Sequence, residues 1–166
     1  FPGKYKMLAP INIRPHAREV LKRLAEEFEL MIFTASHEAY ANAVMDYLDP
    51  EGVVQHRLYR RHCDYIEEGY YVKDMRVLGR DLSKVVLVDN AAYSYAFQVN
   101  NGIPILPYYE GEHDFELKVL QEYLLSLKGC QDVRTRNAEY FKLGKYNGFA
   151  YVEELVEALY LERGGY

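Results

Sequence analysis

Val20, Leu21, Leu24, Ala25 and Phe28 recur at helical spacing, with Lys22, Arg23, Glu26 and Glu27 on the other face. That periodicity predicts an amphipathic helix. Pro15 suits its first turn, where the N–H that proline lacks would have no partner. Ahead of it, Ile11 to Ile13 alternates like a short strand and stops at Arg14-Pro15. Behind it, Leu30-Met31-Ile32-Phe33 is a continuous apolar run, as expected of a strand covered on both faces. Thr34-Ala35-Ser36 closes the run, and Ser36 is placed to cap the next helix. Ala39, Tyr40, Ala43, Val44, Tyr47 and Leu48 stripe that helix until Asp49-Pro50-Glu51-Gly52 breaks it.

His56 to Arg60 reads as a strand, and Tyr65-Ile66 with Tyr70-Tyr71-Val72 flank Glu67-Glu68-Gly69 as a hairpin. Val85 to Val88 is the second buried strand, followed at once by Asp89-Asn90. Gly102 to Pro107 makes a third short strand whose prolines favour an edge. Leu117, Leu120, Leu124 and Leu127 mark a helix ended by Gly129, and Val133 to Phe141 another. Past the Gly144–Gly148 break, Tyr151 to Leu161 is a last amphipathic segment. Alternating helices and apolar runs predict an α/β fold with a mainly parallel central sheet flanked by helices. The hairpin is a small insertion, and the Arg57–Val72 excursion is too short for a large cap.

At 166 residues, the chain is long enough to bury roughly 70% of its unfolded surface as one domain. A net charge of −5 leaves no basic footprint for nucleic acid, so no nucleic-acid partner is expected. No apolar stretch approaches membrane-spanning length. Cys63 and Cys130 lack metal-ligand or CxxC spacing. The five histidines share no metal-like spacing either. The abundant tyrosines, Tyr93, Tyr95, Tyr108 and Tyr109 among them, read as core and rim packing.

In parallel sheets chemistry collects beyond the C-terminal strand ends. Two predicted strands end in polar groups there, Thr34 and Asp89-Asn90. A phosphomonoester site needs a hydroxyl and backbone donors for phosphate oxygens, a fixed cation, and carboxylates for Mg²⁺. Thr34 supplies the hydroxyl, Lys73 the cation, and Asp89 with Asn90 the metal side. Taken singly, Thr34 is a capping residue, Lys73 a solvated lysine and Asp89-Asn90 a turn. Only the ordered set at one sheet edge favours a site. Alanine at Lys73 is then expected to lower turnover far more than it weakens folding.

Phe33-Thr34-Ala35-Ser36, Tyr71-Val72-Lys73-Asp74 and Val88-Asp89-Asn90 resemble the FCP/SCP-homology phosphatases. These are the branch of the haloacid dehalogenase superfamily related to NLI-interacting factor. The likeness runs from about Ile11 to Phe141 and includes Arg14-Pro15, Leu48-Asp49-Pro50, Leu78 to Lys84 and Asn101 to Ile105. It implies a phosphatase domain over residues 1–142, with 143–166 a C-terminal helical extension. It also implies a Mg²⁺-dependent protein serine/threonine phosphatase working through an aspartyl-phosphate. Phosphoserine or phosphothreonine proteins, such as the C-terminal repeat domain of RNA polymerase II, would be the substrates. By position, Thr34 binds phosphate, Lys73 stabilises it, and Asp89 and Asn90 complete the metal site. Arg60, His37 and Tyr40 fall where substrate contacts are made. Ala91-Ala92 replaces a common Ser-Pro, and His37 stands where binders of proline-rich peptide carry an apolar residue.

The family's first motif, Asp-x-Asp after a buried strand, occurs nowhere in the 166 residues, whose first aspartate is Asp46. Without that nucleophile these residues alone are expected to be inactive. The resembled fold puts the motif's strand between Leu30–Phe33 and Val85–Val88. Omitting it would orphan buried backbone groups at roughly 1–3 kcal/mol each, too much for a net stability of about 5–15 kcal/mol. The expectation is a truncated segment of a longer chain, its first strand lost or supplied separately, in a nuclear or cytoplasmic protein. The alternative is a catalytically silent peptide-binding domain resembling the presequence receptor of the mitochondrial inner-membrane translocase, with a mitochondrial location. A small-molecule phosphatase of the wider superfamily fits less well.

Overall fold

The computed structural model describes residues 11–66 and 69–142. Helices and strands alternate along most of this length: α1 (Ala17–Ala25), β1 (Met31–Phe33), α2 (Glu38–Leu48), β2 (His56–Leu58), β3 (Asp64–Tyr65), β4 (Tyr71–Val72), β5 (Leu87–Asp89), β6 (Gly102–Pro104), α3 (Glu116–Ser126) and α4 (Val133–Phe141). Short 3-10 segments at Arg60–His62, Met75–Leu78, Leu82–Lys84 and Ala92–Asn101 join them. The predicted segment at Tyr151–Leu161 lies outside the described residues. No helix among the described residues is long and apolar enough to cross a membrane.

Both larger pairings are parallel, as the alternation predicted. β1 pairs with β2, Met31 opposite His56 and Phe33 opposite Leu58. β5 pairs with β6, Leu87 opposite Gly102 and Asp89 opposite Pro104. β3 and β4 form the expected antiparallel hairpin, Tyr65 opposite Tyr71. The sheet is not continuous among the described residues. β1 and β5 each have one hydrogen-bonded neighbour and do not pair with each other. Ile11–Ile13 forms no strand, since no segment among the described residues pairs with it.

The β5–β6 pair is covered on both faces with the two-residue period of a strand. Val85 and Leu87 pack on the cluster of Met75, Ala92, Tyr95 and Val99. Val86 and Val88 turn to the cluster of Val20, Leu24, Ile103, Leu124, Leu127 and Val133, where α1, α3 and α4 meet. Ile103 is 1% exposed, so its burial alone contributes about 1.5–3 kcal/mol. Yet the residues of β1 and β5 are only half-buried, not enclosed as their apolar runs predicted. A strand paired along one edge keeps its other edge open.

The crossover from β5 to β6 is the Ala92–Asn101 segment, kinked at Tyr95 and Gln98. Tyr95 is 1% exposed, and its ring lies where any Cβ on Gly102 would stand, at 2.3 Å. Glycine there lets the aromatic ring close against the strand backbone. Of the four tyrosines expected to pack, Tyr95 is core, while Tyr109 is 76% exposed.

Candidate active site

Thr34 follows β1 directly. Its N–H donates to Leu58 O at 3.0 Å, extending the parallel ladder, and its Oγ1 accepts from the Ser36 N–H at 3.1 Å. The hydroxyl thus shapes the loop, as Ser and Thr do in turns. Ser36 does not cap α2; His37 occupies that position and makes no capping bond. Arg60 braces the loop from the far side. Its Nε donates to Ala35 O at 2.6 Å, its backbone N–H to Ser36 O at 3.1 Å, and its guanidinium reaches His37 Nε2 at 3.1 Å. The same guanidinium lies over the Tyr71 ring, 5.0 Å from the centroid.

Tyr71 and Val72 form β4, and Lys73 comes next. The Lys73 N–H donates to Ser94 O at 2.8 Å. Its ammonium meets Asp89 Oδ2, with the two side chains only 10% and 11% exposed. Asp89 ends β5; its Oδ1 accepts from the Ala91 N–H at 2.8 Å and its carbonyl from the Ile105 N–H at 3.3 Å. Lys73 is therefore not a solvated lysine. Its loss would strand a buried carboxylate, so alanine there strikes folding as well as chemistry. Asp74 turns away, accepting from the Arg76 N–H and from the Gln98 amide, both at 2.9 Å, and starts the Met75–Leu78 turn.

Cys63 packs beside the Thr34 loop. Its Sγ lies 3.7 Å from Thr34 O and 4.0 Å from Tyr59 O. Burial pushes its thiol up from the ordinary value, against the nearby Lys73 charge, with smaller effects from Asp64, Arg60 and Asp89. Of the residues singled out in the sequence, the fold joins Lys73 to Asp89 and Arg60 to His37 directly, while Thr34 bonds within its own loop and to β2. Asn90 is exposed beside Asp89, its amide without a hydrogen bond among the described residues. Tyr40 is 46% exposed on the first turn of α2 and, among the described residues, makes no hydrogen bond or ring contact with the others. Sequence reasoning missed Cys63 and the Tyr71 ring. A lone thiol carries no spacing signal, and Tyr71 stood out only as part of a motif.

Magnesium takes hard oxygen ligands, keeps several waters, and needs only one or two carboxylates from a protein. Asp89 and the free amide oxygen of Asn90, adjacent at a strand end, fit the protein's share of such a site once Lys73 yields one oxygen of Asp89. No group of three His, Cys, Asp or Glu side chains able to hold a metal exists among the described residues.

Residues 2–134 match the family model of the NLI interacting factor-like phosphatases. The chain is 47% identical over 130 residues to the CTD small phosphatase-like protein 2 of Dictyostelium discoideum, covering 78% of this chain and 23% of that protein. It is also 47% identical over 126 residues to the CTD small phosphatase-like protein 3 of Caenorhabditis elegans, covering 75% and 44%. A human carboxy-terminal domain RNA polymerase II polypeptide A small phosphatase 2 matches at 42% over 122 residues, covering 74% and 45%. The chain thus spans less than half the length of these relatives. A solved structure of Fcp1, an essential RNA polymerase II CTD phosphatase, superimposes with a TM-score of 0.61 at 20% identity, covering 87% of this chain and 54% of that one. That likeness shows the fold, a haloacid-dehalogenase-like α/β arrangement.

Proposed function

The chain belongs to the NLI interacting factor-like phosphatase family, and from that membership we propose that it forms the phosphate-holding part of a Mg²⁺-dependent protein serine/threonine phosphatase. The observation that carries this reading is the buried contact of Lys73 with Asp89 at the C-terminal end of a parallel strand. A fixed ammonium beside a carboxylate suits phosphoryl transfer, which consists mostly of positioning and neutralising charge on the transferring group.

Thr34 and the N–H groups of its loop hold phosphate oxygens. Lys73 turns from Asp89 toward the phosphate and neutralises its charge. Asp89 and Asn90 hold the Mg²⁺, which supplies a Lewis acid for a phosphoryl oxygen. Arg60 and His37, with Tyr40 on the first turn of α2, contact the substrate polypeptide. The 166 residues contain no Asp-x-Asp, so the carboxylate nucleophile of an aspartyl-phosphate comes from elsewhere in the intact protein. These residues alone are inactive in this reading. The names of the relatives make a phosphorylated protein tail, such as the RNA polymerase II C-terminal domain, the first substrate class to try. A nuclear or cytoplasmic location follows from that substrate.

The test is hydrolysis of p-nitrophenyl phosphate and phosphoserine peptides by the full-length protein, with Mg²⁺ and with chelator. We expect hydrolysis that needs Mg²⁺ and falls at least about a hundredfold per folded molecule in Lys73→Met. Turnover indifferent to both changes would remove the reading. No turnover alongside tight peptide binding would instead favour a silent recognition domain.

A further inference from the structure

α3 is apolar on two faces. Leu124 turns into the cluster with Val20, Ile103 and Val133. Phe115, one residue before the helix, and Val119, one turn on, are instead 62% and 63% exposed. Tyr123 follows at the same spacing, and residues four apart on a helix are surface neighbours. The Tyr123 ring meets that of Tyr140 on α4, centroids 4.6 Å apart, and its hydroxyl donates to Asn137 Oδ1 at 2.7 Å. Tyr140 is 64% exposed. These four side chains make one apolar stripe that runs about 12 Å along α3, at 1.5 Å per residue, and continues onto α4. Single exposed apolar residues are ordinary, but a contiguous strip marks a surface that something covers.

The stripe is small. Its three exposed side chains offer roughly 350 Å², taking about 150–250 Å² for a whole aromatic, whereas separate proteins that associate stably bury about 800 Å² each. A tethered segment needs no such area, because it arrives at millimolar effective concentration. The chain itself supplies one. α4 ends at Lys142 with φ 56°, and the Phe141 ring lies 5.0 Å from that of Tyr123 and 4.9 Å from that of Tyr140. The backbone therefore leaves α4 at the edge of the stripe. Beyond the described residues, Tyr151, Val152, Leu155, Val156, Leu159 and Tyr160 recur at helical spacing, with Glu153, Glu154 and Glu157 on the other side. As a helix, that apolar face would measure about 14 Å, close to the length of the stripe. The nine positions from Lys142 to Tyr151 can span roughly 30 Å, ample to double back.

We propose that residues 151–160 dock their apolar face on Phe115, Val119, Tyr123 and Tyr140, as a helix latched across α3 and α4. The family match stops at residue 134, so the docking segment lies outside the matched part of the chain. The latch stands or falls independently of the phosphatase reading.

The test uses the full-length protein carrying Val119→Cys, a change at an exposed position. It is labelled with iodoacetamide at several protein concentrations and quantified by peptide mass spectrometry. A tethered contact of about 0.1 mM intrinsic strength is closed about nine-tenths of the time at millimolar effective concentration, so the introduced thiol should react about tenfold slower than free glutathione. Adding Leu155→Glu and Leu159→Glu should restore a rate near that of glutathione. Reaction at the glutathione rate without those changes, or protection that they leave unmoved, overturns the latch. Protection that grows with protein concentration assigns the stripe to a second copy and overturns it too. A second pair of variants is independent of how the glutamate changes affect folding. On mild oxidation, Val119→Cys with Leu155→Cys, each at the middle of its stripe, should close a disulfide about tenfold faster than Val119→Cys with Glu157→Cys. Equal rates overturn the proposal.

Discussion

The Lys73 ammonium, delivered just after β4, lies against Asp89 Oδ2 at the end of β5, sixteen positions along the chain, and both side chains are about nine-tenths buried. Charges so placed stabilise only as a pair, because either one alone would be left desolvated without a counter-ion.

Lys73→Met should therefore lower unfolding free energy by about 3 kcal/mol, measured by urea denaturation. Adding Asp89→Leu should restore more than about 1 kcal/mol of that loss, because the orphaned charge goes too. Strictly additive losses would mean that the two groups do not interact in solution.

Gly102→Ala offers a purely steric test. Its backbone φ of −75° is ordinary for any residue, but an added methyl would meet Tyr95 ring carbons at 2.3 to 2.6 Å. The ring must shift within a filled cluster, at a cost of about 1–3 kcal/mol. A melting temperature equal to wild type would show that Tyr95 does not sit against that strand.

Asp74 gives a pH dependence. The Arg76 guanidinium holds its carboxyl below the usual carboxylate range, against burial, which pushes it up, and with help from the Arg76 N–H and the Gln98 amide. A depressed folded-state value means a contribution complete above about pH 4 and lost as pH falls through the folded value. Asp74→Ala should cost about 0.5–2 kcal/mol at neutral pH, as lost caps do. The gap to wild type should narrow on acidification. A constant gap from pH 7 to pH 2.5 would contradict this.

Cys63 should alkylate slowly. Burial raises its thiol, so little thiolate exists at neutral pH, and the thiolate is the nucleophile. Iodoacetamide labelling followed by peptide mass spectrometry at pH 7.5 should run about tenfold slower at Cys63 than for free glutathione. A matching rate would place the thiol in open solvent.

Local chemistry was legible where neighbours within a turn or a strand decide it. Val133–Phe141 is a helix over the predicted residues, because its spacing needs only itself. The hairpin around Gly69 and the parallel pairing implied by alternating helices and apolar runs were readable for the same reason. The Ala92–Asn101 crossover was not, since a 3-10 segment kinked at Tyr95 and Gln98 shows neither a 3.6-residue nor a two-residue period.

By itself, then, the order of residues determined the element types, the parallel class of the fold, the family, and which strand ends carry Thr34 and Asp89. Tertiary structure alone decided that Lys73 is buried on Asp89 rather than solvated, that Cys63 lies against the Thr34 carbonyl, and that Arg60 reaches His37 across twenty-three positions. Periodicity records which face of an element is apolar. Desolvation and charge pairing depend on which distant atoms arrive at that face, and only the folded chain specifies that.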